Sequence, residues 1–424
     1  LPGTMYFAMT AIPALIAWLS PGAAVLKRNL SLCYLASAAM LAALAVVLLV
    51  DVSDSIKLGM VILQGAVSGA VMPAAIAFLW EAIGRGSDES RRGLALGLAF
   101  GAGPLLAVAG SLIQAWLLGT TFFGREFAGL AWPWNFVVLF GGAVPCLLLA
   151  ALLSRVLVVP LPESEPPREP VGEVAGLLLG LPLLLASVGL AHVAGQTEGG
   201  LYGTLCFLAG AGAALAFIWH FRSILTQRTL LLATVVTILV YMGNMIPSNM
   251  NLYSPEVLGD SPERYAGTQN ALRFSFKVVA GFLLGWMLTR TSPRAGVLAT
   301  SAIFLAAQLW AMFATGTWYL LAFGLYGAGE LVGVYAPNYI LSASRPQDLR
   351  RNMAFMTMLM VPAAPAGYLY GVIVDVVRRK QLTWAGMNSD VLGFRLSFLV
   401  CALLILSGII LALVALPKKP RPAG

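Results

Sequence analysis

The sequence predicts an all-α protein that crosses a membrane many times, and three observations carry that class. Hydrophobic residues make up 59% of the 424 residues, charged residues only 10%, and the mean hydropathy is +0.86, far outside the range of soluble domains. Apolar runs of about 20 residues, the length a membrane-crossing helix needs, recur along the whole chain. Lys and Arg gather in alternate loops between those runs, as they do on the cytoplasmic side of membrane proteins.

Taken in order, runs 5–25 and 31–50 are parted by Lys27 and Arg28, and Lys57 opens run 57–80. Arg85, Arg91 and Arg92 separate that run from 93–118, and Arg125 precedes run 132–158. Arg155, Arg168 and the stretch Pro160-Leu-Pro162-Glu-Ser-Glu-Pro166-Pro167-Arg-Glu-Pro170 follow; so many prolines and acids exclude a span and predict a linker over 159–173. Runs 174–195 and 201–221 come next, then Arg222 and Arg228 before run 229–250. Arg264 precedes 267–289, Arg290 and Arg294 precede 295–314, and 317–341 follows. Arg345, Arg350 and Arg351 lead into 353–376; Arg378, Arg379 and Lys380 lead into 394–416, where Arg395 lies at the outer end. A tail, 417–424, carries Lys418, Lys419 and Arg421. The prediction is thirteen spans.

Seventeen of the basic residues fall on one side of this arrangement and seven on the other, which places residue 1 outside and the C-terminus in the cytoplasm. The net charge of +8 is therefore mostly a topology signal. No basic patch with interleaved aromatics stands on a soluble segment, so no nucleic-acid partner is implied. Cys33, Cys146, Cys206 and Cys401 are scattered singly, and His192 and His220 are too far apart for metal-ligand spacing. No phosphate-binding loop or nucleophile elbow is present. Neither an enzyme, a cofactor nor a metal centre is expected.

Two regions share one plan: a span, a small-residue end, a short basic turn and a new span. They are TMYFAMTAIPALIAWLSPGAAVLKRNLSLCYLASA over 4–38 and GTQNALRFSFKVVAGFLLGWMLTRTSPRAGVLAT over 267–300. In the second, Gly285-Trp-Met-Leu-Thr-Arg290 followed by Arg294 resembles the G-x-x-x-D-R-x-G-R-R turn of the major facilitator superfamily, with Thr289 in place of the acid. Leu63-Gln64-Gly65 through Pro73 is similar to the fourth helix of facilitator drug:proton antiporters, and Arg92-Gly93 through Gly103-Pro104 to their fifth. Independently of any family, Gly93, Gly97 and Gly101 at four-residue spacing leave one helix face bare for a close neighbour, and Pro104 favours a bend.

The resemblance implies two six-helix bundles related by a pseudo-two-fold axis. Residues 1–158 would be the first bundle without its first helix, as the odd span count and an initial Leu also suggest, and 229–416 would be the second. Residues 174–221 would be the additional hairpin of the fourteen-helix subgroup, with His192 structural. The expected location is a bacterial inner membrane. Departures are that Val61 stands where the antiporters carry an Arg linked to proton coupling, and that the acid of the turn is missing from both copies.

Function should lie in polar groups held at membrane depth. Glu330, in GLYGAGELVGVY, is the sole carboxylate well inside a span; Arg273 and Lys277 are the only such cations. Counting ~1.5 Å per residue puts Arg273 roughly 9 Å, Lys277 roughly 15 Å and Glu330 roughly 20 Å from the outer side. Each costs about 2.5–3.5 kcal/mol to hold there, so a partner or a cavity is expected. In helix order these are the eighth and tenth helices, which the resemblance places beside the central cavity. Two readings stand: a Lys277–Glu330 pair that fixes packing while Arg273 extends outward, or a net-positive cavity for an anionic solute in which Glu330 is a displaceable counter-ion or a proton carrier.

Supporting candidates are Tyr241 and Asn244, with Ser248 and Asn249, near a break marked by Pro247; Gln269 and Asn270 above Arg273; Tyr326, Tyr335 and Asn338 flanking Glu330; and Gln64 from the first bundle. Glu81, near the inner end, is expected to be an interface anchor or a gate partner for Arg85 rather than a cavity residue. The functional expectation is a secondary active transporter moving a small anionic solute through the lipid bilayer by alternating access. The alternatives are a proton-coupled exporter of hydrophobic compounds and a transport-inactive accessory subunit.

Overall fold

In the computed structural model, residues 2–161, 170–194, 200–260 and 262–420 are described. Most of the predicted linker, residues 162–169, together with residues 195–199 and the tail residues 421–424, lies outside them. The chain opens with α1 (Pro2–Met9) and α2 (Ile12–Leu19), then α3 (Leu26–Leu49), α4 (Asp54–Gly86) and α5 (Glu89–Leu118). A small antiparallel hairpin, β1 (Thr121–Phe122) and β2 (Arg125–Glu126), turns through Phe123 and Gly124, both at positive φ, as a two-residue hairpin loop requires. α6 (Trp134–Val156) completes the N-terminal set.

α7 (Ala175–Ala194) and α8 (Gly200–His220) pack against each other, and α7 also touches α1 and α2. After the short α9 (Arg222–Leu225), the C-terminal set comprises α10 (Arg228–Gly243), α11 (Pro247–Leu258), α12 (Pro262–Arg290) and α13 (Pro293–Phe313). It continues through α14 (Leu321–Gly329), α15 (Val332–Ala343), α16 (Leu349–Met358), α17 (Met360–Ala363), α18 (Pro365–Arg379) and α19 (Ser389–Ala415).

Twelve candidate spans occur among the described residues, against thirteen predicted runs. The difference is the first run, 5–25. It forms two eight-residue helices parted at Thr10–Ala11, because Pro13 has no N–H to continue an upstream helix and sits instead in the first turn of α2. The other twelve runs each correspond to one candidate span. Three of those spans are broken internally: α10/α11 before Pro247, α14/α15 at Glu330–Leu331, and α16/α17/α18, which resumes at Pro365. Broken ends leave carbonyls without helical partners, and tyrosines serve them. The Tyr370 hydroxyl donates to the Met242 carbonyl at 3.0 Å, and Tyr326 to that of Asn244 at 3.1 Å.

The glycine spacing on α5 predicts a close neighbour, and that neighbour is α12. Gly97 faces Gly285, and a Cβ added to Gly97 would lie 3.3 Å from the Gly285 Cα. One added to Gly281 would strike the Phe100 carbonyl, and one on Gly93 would come 2.9 Å from the Gly285 carbonyl oxygen. The two helices therefore meet backbone to backbone.

A large core runs through both sets and includes Trp80, Phe221, Phe304, Tyr319, Tyr335, Tyr370 and Phe398. A smaller one, with Leu26, Leu30, Cys33 and Phe78, joins α3 to α4. Outside these, α6, α7 and α8 present exposed Leu152, Leu153, Val156, Leu179, Leu208 and Leu215. Helices satisfy their backbone internally, so such faces suit hydrocarbon.

Candidate functional site

Three charged side chains converge within the C-terminal set. Arg273 and Lys277 are four residues apart on α12 and so share a face. Glu330 lies at the break between α14 and α15, where the backbone switches to three-residue bonding: Leu331 N–H to Ala328 O at 3.2 Å, Gly333 N–H to Glu330 O at 2.9 Å and Val334 N–H to Leu331 O at 2.8 Å. Close packing of α14 on α12 brings the groups into reach. Gly327 lies against the Arg273 backbone, with no room for a Cβ, and Gly324 lies on the Phe276 ring.

The Arg273 guanidinium grips Glu330 in bidentate fashion, Nε to Oε2 at 2.7 Å and Nη2 to Oε1. Lys277 Nζ reaches Oε2 at 2.6 Å. Side-chain exposure is 11% for Glu330, 17% for Lys277 and 33% for Arg273, so the carboxylate is the most enclosed member and Arg273 borders open space. Aromatic faces add to the cations' surroundings: the Arg273 guanidinium lies 5.4 Å from the Tyr326 ring centroid, and Lys277 Nζ lies 5.1 Å from that of Phe274. The packing reading departs from this arrangement at Arg273. Lys277 pairs with Glu330, but Arg273 does not extend away; it takes both oxygens of the same carboxylate.

The cluster carries two positive charges and one negative, hence a net +1. A guanidinium fork matches any planar oxyanion, so the geometry that holds Glu330 would hold an anion that replaced it.

Of the supporting candidates, Tyr326 and Asn244 meet: the Tyr326 hydroxyl donates to Asn244 Oδ1 at 2.8 Å, which links the α10/α11 break to the wall of the cluster. Tyr241 is buried in the core. Asn249 donates to Ser397 at 3.1 Å. Asn270 donates to Gln114 of α5 at 3.2 Å, a cross-set partner that no charge or motif signalled in the sequence. Gln64 is not brought to the cluster; it donates to Ser68, one turn along its own helix, at 2.9 Å.

A second triad stands at the other end of α4. Glu81, 1% exposed, accepts from Arg85 Nε at 2.9 Å and from Arg350 Nε on α16 at 2.6 Å. Arg350 also donates to the Ser20 carbonyl. The Arg85 partnership was legible as an i,i+4 pair, whereas Arg350 entered the sequence reading only as a loop cation.

No family model matches the chain. No curated protein matches it in sequence. Solved structures do resemble it. The Escherichia coli fucose:proton symporter FucP shares 16% identity over 96% of this chain and 89% of its own, with a TM-score of 0.59. An auto-inhibited peptide transporter of the POT family shares 17% over 100% and 89%, also at 0.59. The human organic anion transporter MFSD10 shares 14% over 97% and 82%, at 0.58. These neighbours are transporters.

Proposed function

The chain has the fold of the major facilitator superfamily, and on that premise we propose that it is a secondary active transporter moving a small anionic solute by alternating access. The observation that carries this reading is the net-positive cluster of Arg273, Lys277 and Glu330, in which two cations share one enclosed carboxylate at a helix break. An arriving anion takes over the Arg273 fork, and Glu330, released, swings with the three-residue-bonded turn that carries it. Tyr326 and Asn244 then transmit the change to the break between α10 and α11. Cargo in the structural neighbours ranges from fucose through peptides to organic anions. At their low identity, the site rather than the fold supports the anionic choice.

The same proposal takes α1–α2 as one broken span, giving thirteen, with residues 1–158 and 229–416 as the two bundles, 159–173 as the linker, 174–221 as an extra hairpin and 417–424 as the tail. It places the C-terminus in the cytoplasm, from the loop charge. Gln64, bonded to Ser68, and Tyr241, buried, stay in the proposal as residues reached when the bundles rearrange.

The test is substrate-dependent thermal stabilisation of the purified protein across organic anions, inorganic anions and lipophilic cations, followed by uptake into liposomes. An anion is expected to raise the unfolding midpoint, and Lys277→Ala or Arg273→Ala to remove that shift while the protein stays folded. Stabilisation by cations alone would replace this reading with the exporter; no stabilisation and no uptake with any class would leave the accessory subunit.

A further inference from the structure

At the end of the molecule that carries the tail, a cavity of about 380 Å³ opens between the two helix sets. Arg92 at the start of α5 lines it from the N-terminal set. From the C-terminal set come Thr289 in the last turn of α12, Thr291 between α12 and α13, Asn338 and Ser342 on α15, and Lys419 of the tail. No carboxylate is among the lining residues. An adjoining cavity shares Thr291 and Lys419 and adds Arg294 and Lys418.

The tail is held in place at this cavity. Arg294 Nη1 donates to the carbonyls of Leu413 at 3.2 Å and Leu416 at 2.8 Å, and the Tyr339 hydroxyl donates to that of Pro417 at 3.1 Å. These three bonds fix the chain immediately before Lys418 and Lys419. Asn338 is 2% exposed, and its Oδ1 has no hydrogen-bond partner among the described residues. A buried, unpaired acceptor is costly unless a ligand supplies a donor.

We propose that this cavity binds a phosphate group that retains a P–OH. Arg92 and Lys419 supply charge and Asn338 Oδ1 accepts from the P–OH; the Thr289, Thr291 and Ser342 hydroxyls, which in this structure donate to the carbonyls of Trp286, Met287 and Asn338, turn to the phosphoryl oxygens on binding. The last contact separates phosphate from sulfate: at neutral pH inorganic phosphate keeps at least one P–OH, whereas sulfate keeps none. Free phosphate and the phosphomonoester headgroup of phosphatidic acid share this chemistry. Arg92 belongs to one set and the remaining ligands to the other, so an occupied site ties the sets together at this end. Arg273, Lys277 and Glu330 take no part, and the binding measurement needs no transport.

The experiment has two arms on the purified full chain. In lipid-free detergent, inorganic phosphate and sulfate are titrated by thermal shift and calorimetry. In phosphate-free buffer, nanodiscs containing phosphatidic acid are compared with phosphatidylcholine nanodiscs by thermal shift and by lipid retention in native mass spectrometry. Phosphate binding in the first arm, tighter than sulfate, identifies the free anion; selective retention of phosphatidic acid identifies the headgroup. In whichever arm binds, Lys419→Glu, on the exposed tail, and Arg92→Gln are each expected to weaken binding by about tenfold or more, as loss of a charge-assisted contact should. Binding in neither arm, sulfate binding as tightly as phosphate, or binding unchanged in both variants would overturn the proposal.

Discussion

Two triads of the same composition, one carboxylate and two cations, stand in this molecule and are built into it differently. Arg273, Lys277 and Glu330 all belong to the C-terminal set, so the cluster stays whole however the two sets move. Glu81 and Arg85 belong to α4, whereas Arg350 comes from α16, so that triad bridges the two sets. Chemistry alone does not assign a role to an ion cluster; which bodies it connects does. The first is suited to holding something, the second to holding the sets together.

That contrast can be broken, and the largest effect is expected at Glu330. Glu330→Ala strands two cations at membrane depth and should cost about 3–5 kcal/mol of stability, the range for removing one partner of a buried pair. Chemical unfolding in detergent measures it. The double variant Glu330→Gln with Lys277→Met restores the net +1 and should recover most of the loss; failure to recover would mean that the cluster is not one electrostatic unit.

Gly327→Ala tests the packing beneath the same cluster. Its Cβ meets the Arg273 backbone, so overpacking should cost about 1–3 kcal/mol by the same unfolding measurement. An unchanged midpoint would show that α14 can withdraw from α12 at no cost.

Arg350→Ala should leave stability less affected but loosen the tail end of the interface. A reporter cysteine at Ser342, beside Arg92, is expected to react with a maleimide several-fold faster in that background, but not in Glu330→Gln. Equal acceleration in both would erase the distinction between the triads. The smallest effect belongs to Arg264→Ala. Arg264 joins Glu126 and Asp260 across the opposite end, but it is well solvated, and no measurable change in unfolding midpoint is expected.

Much of this was written plainly in the sequence. Long apolar runs and loop charges located twelve spans, because burial in hydrocarbon leaves few other patterns for a chain to adopt. Depth counting singled out Glu330, Arg273 and Lys277, because charge inside an apolar run is costly and must have a partner or a cavity. The rest depended on distances that no linear pattern contains. Arg273 and Lys277 on one carboxylate requires the close approach of α14 at Gly327, and Gln64 could be seen to face a cavity or its own helix only once Ser68 was placed. The first run hid its break because Pro13 near a helix start and Pro13 in a helix middle look alike in composition. Arg350 looked like one more topology charge, since nothing in its neighbourhood names a carboxylate 269 positions away.

The glycine seam between α5 and α12 has a mechanical consequence. Where side chains interlock, two helices can turn on each other only by lifting knobs out of holes. Here the middle of the contact is main chain, with Gly97 against Gly285 and Gly281 against Phe100, while the Phe282 ring on Gly101, the Thr289 methyl on Gly93 and the Asn270–Gln114 bond are the side-chain contacts that a relative turn would have to displace. If the two sets rock as the proposed transport requires, this is the contact at which main chain can turn against main chain, and only the few side chains that flank it would have to yield.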